Sequence, residues 1–148
     1  MKPDKLKIIQ DCLENEKKQL ESAIKKIVVA RNESPLPTES RSDTSRIQAD
    51  NMINKLNEKL KNLEKLTDEM PKTIPENKKT VGLWSYLEIK NSNYKMKFIL
   101  VPEGYGGREY NGVKLVSISA PLAETVLNKK LNQSIDFNEN KLRIYFLL

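Results

Sequence analysis

The chain has 148 residues with 26 basic and 20 acidic side chains, a formal net charge of +6, a single cysteine and no histidine. A lone Cys12 excludes an intramolecular disulfide and a cysteine metal cluster, and the lack of histidine removes imidazole bases, catalytic triads and the usual zinc sites. Any chemistry must run on carboxylates, hydroxyls or amines.

In the first segment Leu6, Ile9, Leu13, Leu20, Ala23, Ile27 and Ala30 alternate at steps of three and four, interrupted by Glu16. This is the seam of a helix pair. Ser34-Pro35-Leu36-Pro37 then removes backbone donors and forces the residue before each proline out of the helical region, so the chain is expected to turn back there. Ala49, Ile53, Leu56, Leu60, Leu63, Thr67 and Met70 repeat the spacing in a second arm. Arms of roughly 28 residues at ~1.5 Å per residue project on the order of 40 Å. The natural working end is the tip, near residues 32–43. Glu39 and Asp43 are the acids placed there four apart, with Arg41 between them. If the helix includes both, they share a face with Cβ atoms ~5 to 6 Å apart. Asp43 also suits a capping role, because Ser40-Arg41-Ser42-Asp43 precedes an apolar-periodic run and an aspartate near a helix N-terminus complements its dipole. Glu39 also reads as a solvated loop residue, and Glu33 more simply still as ordinary surface charge.

Two prolines and no periodicity from Pro71 to Lys79 mark a linker, dividing the chain into a hairpin over 1–74 and a small domain over 75–148. Val81–Ile89, Lys95–Val101, Val113–Ser119 and Leu142–Leu147 are rich in β-branched and aromatic residues and are predicted as strands. Pro121–Leu127 carries Leu122, Ala123, Val126 and Leu127 at helical spacing, predicting one short helix between strands. The fold class is α+β: an antiparallel coiled-coil hairpin, then a small sheet with one helix. Glu103-Gly104-Tyr105-Gly106-Gly107 lacks the Gly-Lys-Ser/Thr ending of a phosphate loop and reads, with Asn111-Gly112, as a mobile strand connection.

The charge is uneven. Residues 1–70 hold 14 basic and 13 acidic side chains, and 71–148 hold 12 and 7. Lys17-Lys18 and Lys25-Lys26 are interleaved with acids as on the solvated face of a coiled coil, which argues against duplex binding by the hairpin. No apolar run approaches the ~18 residues of a membrane span, and the first residues lack the apolar block of a signal peptide. The expectation is a cytoplasmic protein with no membrane partner, folded as a monomer because the proline break favours an internal hairpin over self-association.

Ser117-Ile118-Ser119-Ala120-Pro121-Leu122-Ala123, continuing to Lys130, resembles the signature of the bacterial Gre transcription factors, where a strand ends in Ser-x-x-Ser/Ala-Pro-Leu/Ile-Ala before a short helix. Val81-Gly82-Leu83-Trp84 resembles the first strand of their C-terminal domain. The resemblance implies an FKBP-like C-terminal domain that docks on RNA polymerase through Ser119, Ala120, Pro121 and Leu122, with the hairpin entering the secondary channel. It further implies tip carboxylates that share a magnesium ion with the polymerase and reach the nascent RNA 3′ end, so that the polymerase cleaves backtracked RNA. The factor alone would be no enzyme and would hold no stable cofactor. Cleaving members carry an aspartate and, three residues later, a glutamate in an Asp-Leu-x-Glu-Asn context. Here Glu39 and Asp43 stand instead, which leaves open a channel occupant that modulates or inhibits elongation without cleavage. A prolyl isomerase and a self-associating adapter are the remaining alternatives.

Overall fold

The computed structural model describes residues 3–33, 40–76 and 79–148, the side chains of 40–43 excepted. The Ser34–Pro37 break therefore lies outside the described residues. The chain divides into two compact units, one of Leu13–Met70 and one in which the residues up to Cys12 join Pro71–Leu148.

Helix α1 (Lys5–Glu33) starts where Asp4 accepts the Lys7 amide on Oδ1 at 3.2 Å and the Ile8 amide on its carbonyl at 3.0 Å, which satisfies donors that have no partner inside the helix. Helix α2 (Ser40–Glu69) stops before Pro71, which excludes helical geometry in the residue ahead of it. Within the hairpin unit Leu13 and Leu63 are buried, and Leu20, Ala23, Ile27, Ala49, Ile53, Leu56, Leu60 and Met70 are half-buried. Two seam positions differ from the heptad expectation. Ala30 is exposed and Arg31 takes the less exposed place, because 3.6 residues per turn drift against a strict 3.5 repeat. Thr67 is exposed, its hydroxyl donating to the Leu63 carbonyl at 2.9 Å, while apolar Leu66 is half-buried. Arg31 Nη1 meets Asp50 Oδ1 at 2.6 Å, tying the last turn of α1 to α2.

The second unit holds strands β1 (Tyr86–Lys90), β2 (Lys95–Val101), β3 (Arg108–Tyr110) and β4 (Val113–Ser117), helix α3 (Pro121–Val126), then β5 (Ser134–Phe137) and β6 (Asn140–Leu147). They form one six-stranded sheet in the order β3-β4-β2-β1-β6-β5. The β2–β4 pair is parallel and the others are antiparallel. Period-two alternation sends Leu87, Ile89, Met96, Phe98, Leu100, Leu142 and Ile144 into one core with Leu122, Ala123 and Val126 of α3. Ile99, Val101 and Leu115 alternate with these and are buried too. A strand whose residues are buried on both faces reads as a continuous apolar run, as Phe98-Ile99-Leu100-Val101 does. Lys5, buried in the first turn of α1, donates through Nζ to the main-chain oxygens of Pro75 at 2.8 Å and Leu148 at 3.2 Å. Leu148 in turn exchanges two 2.9 Å backbone bonds with Tyr86, so that turn is anchored to the sheet.

The structure shortens two predicted strands and adds two. Val81–Ser85 is a turn rather than the start of β1: Gly82 N donates to Ser85 Oγ at 2.9 Å, Ser85 N to the Gly82 carbonyl at 3.1 Å, and Trp84 has φ of 66°. An indole in left-handed backbone cannot continue a strand. The strand predicted to Ser119 ends at Ser117. The additions, β3 and β5, are the two edges of the sheet.

Candidate functional site

Two places carry the functional expectations. At the hairpin tip Glu33 is exposed at the end of α1, Asp43 falls in the first turn of α2 with its side chain outside the described residues, and Glu39 lies outside them altogether. Near this end the structure adds a group that heptad reading passed over: Arg31, Asn32, Arg46 and Asp50 surround a shallow surface depression. Asp50 is held by Arg31 and so is occupied as an ion-pair partner, and the guanidinium Nε of Arg46 is enclosed. The signal that could have found Asp50 is its seam-adjacent position next to Ala49, opposite the last turn of the first arm. Among the described residues no three His, Cys, Asp or Glu side chains converge as a metal site.

The second place is the turn from β4 into α3. Ser117 and Ser119 face each other with Oγ atoms 3.0 Å apart, and the Ser119 amide lies 3.3 Å from Ser117 Oγ. The turn closes when the Ala120 amide donates to the Ser117 carbonyl at 2.9 Å, and the Ile118 amide reaches the Val101 carbonyl at 2.8 Å. The serines spend their hydroxyls on one another, leaving Ala120 as an N-cap with no side-chain bond and Pro121 in the first helical turn, where its missing donor costs nothing. Ser119 and Pro121 are exposed and Ala120 is half-buried. Leu122, expected beside them at a partner surface, is turned into the core at 7% exposure with Ala123 and Val126. The helical period requires this, since the three are the apolar stripe of α3.

Beside this turn a groove of about 410 Å³ runs along the β3–β4 edge, lined by Arg108, Glu109, Lys114, Val116, Ser117 and Ala120 among others. The glycine-rich loop that leads to it is packed, not a bare connection. Tyr105 is buried and meets Trp84 edge-on at 5.9 Å, and Arg108 Nη1 donates to the Gly104 carbonyl at 2.6 Å. A Cβ on Gly106 would fall 2.7 Å from the Ser117 amide nitrogen, so only glycine lets this loop approach the serine turn. Asn111 and Gly112, at φ of 53° and 79°, make the tight β3–β4 hairpin that their types favour.

The described helices include none long and apolar enough to cross a membrane. Comparison with solved structures finds the transcription factor Gfh1, at 13% identity and a TM-score of 0.44, over 95% of this chain and 94% of that one. The chain is similar in structure to Gre-factor homologues. Gfh1 of Thermus aquaticus gives 14% identity and a TM-score of 0.44 over 95% and 94% of the two chains. GreA factor homolog 1 of Thermus thermophilus gives 16% and 0.41 over 99% and 96%. No protein-family model and no curated protein sequence matches the chain.

Proposed function

We propose that the chain is a Gre-like transcription factor that binds RNA polymerase through its secondary channel and modulates elongation. The observation that carries this reading is the hairpin. Within the hairpin unit, α2 of 30 residues runs about 45 Å at ~1.5 Å per residue and is tied by Asp50 to Arg31 in the last turn of α1, forming a long arm. Such an arm suits delivery of a few side chains into a deep, narrow site, and the tip sequence supplies Glu39, Arg41 and Asp43. The serine-proline turn supplies the docking element, now reduced to Ser119, Ala120 and Pro121, because Leu122 serves the core. The factor has no chemistry of its own in this reading. Glu39 and Asp43 would hold a magnesium ion jointly with the polymerase, an ion that keeps several waters and needs only one or two protein carboxylates.

The isomerase alternative is disfavoured by where the aromatics go. Phe98, Tyr86 and Tyr105 are buried in packing instead of lining a concave pocket. The test is retention of core RNA polymerase on the immobilised full chain. Stoichiometric retention, lost when the secondary channel is blocked by another occupant, is expected; no retention at micromolar concentrations overturns the proposal.

A further inference from the structure

Four strands contribute one residue each to a row on one face of the sheet. Ser134 of β5 stands opposite Arg143 of β6, Arg143 opposite Lys90 of β1, and Lys90 opposite Lys95 of β2. Directly opposed residues share a face, and neighbouring strands lie about 4.8 Å apart, so three cations line up across about 10 Å. Like charges placed directly opposite destabilise a sheet. Two such pairs side by side concentrate positive charge on this face.

Beside the row the ladder is interrupted. Glu88 pairs with Phe146 and Ile89 with Ile144, which leaves Tyr145 as the extra residue of a β-bulge. Bulges re-aim a side chain, and this one carries the Tyr145 ring to the cations: Lys90 Nζ lies 4.4 Å and Lys95 Nζ 5.6 Å from its centroid. The ring is fixed by its hydroxyl, which donates to Glu88 Oε1 at 2.9 Å. Glu88 also takes Lys97 Nζ at 3.9 Å, so this carboxylate is already shared. Asp136 stands opposite Lys141, one step away. A groove of about 490 Å³ opens alongside, lined by Lys90, Asn91, Ser92, Ser134, Lys141 and Arg143.

We propose that this face binds single-stranded nucleic acid, with Arg143, Lys90 and Lys95 on backbone phosphates and the bulged Tyr145 as a stacking platform for a base. A cation row would also suit an acidic peptide. The half-buried aromatic ring, fixed beside the cations, is what favours a nucleic acid, since a charged track joined to an aromatic platform is how single strands are held without base-pair readout. The inference is independent of the polymerase proposal, because no residue of the tip or of the serine-proline turn takes part.

The probe is a fluorescent oligothymidylate about 12 nucleotides long, titrated with the full chain and read by anisotropy. Three phosphate contacts predict a log–log salt slope near −2 for a single strand. Lys90→Gln with Arg143→Gln should weaken binding at least about tenfold and flatten the slope by about 1.4. The charge-matched control, Lys61→Gln with Lys65→Gln on α2, should bind as wild type does. Tyr145→Phe keeps the ring but loses its tie to Glu88 and should weaken binding less than Tyr145→Leu, which keeps bulk without the ring and should lose about fivefold or more. All these lysines and the arginine are exposed, and thermal melts check that each variant stays folded. No binding by the wild type, an equal loss in the control double variant, or equal affinity for polyglutamate each overturns the proposal.

Discussion

Leu122 shows how one residue's burial redirects an experiment. A side chain at 7% exposure among Ala123, Val126 and the sheet core cannot be used to probe docking, because an aspartate there would leave a charge in apolar surroundings without a partner. Leu122→Asp is expected to unfold the sheet unit, seen as loss of the cooperative melt; a folded variant would place Leu122 outside the core. Lys5 makes a different case. Burial pushes its ammonium below the ordinary lysine range, and Glu76 only partly restores it. In the unfolded chain the same group holds its proton up to about pH 10.5, so between the two values the unfolded state binds more protons and stability rises with pH. Tyr86 acts in the opposite sense: burial first, then Glu88, push its hydroxyl up, so its contribution is lost as pH climbs above about 10, where the unfolded phenol ionises. The urea midpoint of the wild type should therefore rise as the pH climbs toward about 10, and that rise should be smaller in Lys5→Met. Equal slopes in both proteins would exclude Lys5 as the source.

At the scale of elements, the heptads foretold two helices but not which seam positions matter most. Leu13 and Leu63 are buried to 1% and 2% exposure, whereas Leu56 and Leu60 are only half-buried. Leu63→Ala should cost ~2 to 5 kcal/mol and Leu56→Ala clearly less, as measured by urea denaturation. The reverse order would refute the burial ranking. The exposed Arg31–Asp50 pair should contribute no more than about 1 kcal/mol, so its use is register rather than stability. In the sheet unit, β2 and α3 were legible because their signals are local: an unbroken apolar run, and a proline at a helix start followed by an apolar stripe. The edge strands were not. Arg108–Tyr110 is three residues long, Ser134–Phe137 is half polar, and both are strands only because β4 and β6 pair with them. The β5–β6 turn uses Asn138 and Glu139 at φ of 49° and 65°, and a glutamate in left-handed backbone carries no turn signal. Of the candidate site, the serine-proline turn was readable from its residues, while the cation row was not, because Arg143, Lys90 and Lys95 meet only through strand register.

For the whole molecule the question is what the tip delivers. Glu39 and Asp43 are four apart with Arg41 between them, and that cation can pair with either acid and lower its availability to a metal. A magnesium role and a capping role for Asp43 predict different outcomes for one substitution. Asparagine keeps much of the capping ability and removes the charge, so Asp43→Asn isolates the metal function better than alanine would. In a backtracked elongation complex, a metal role requires that Asp43→Asn still bind the polymerase yet lose stimulated RNA cleavage, with Glu39→Gln showing the same defect. Under the capping role alone, Asp43→Asn stimulates cleavage by the polymerase as the wild type does. A third result is equally decisive. If the wild-type chain binds the polymerase but stimulates no cleavage at any magnesium concentration, the acids deliver no metal and the hairpin acts by occupying the channel, in which case Asp43→Asn and Glu39→Gln should leave its effect on elongation rate unchanged.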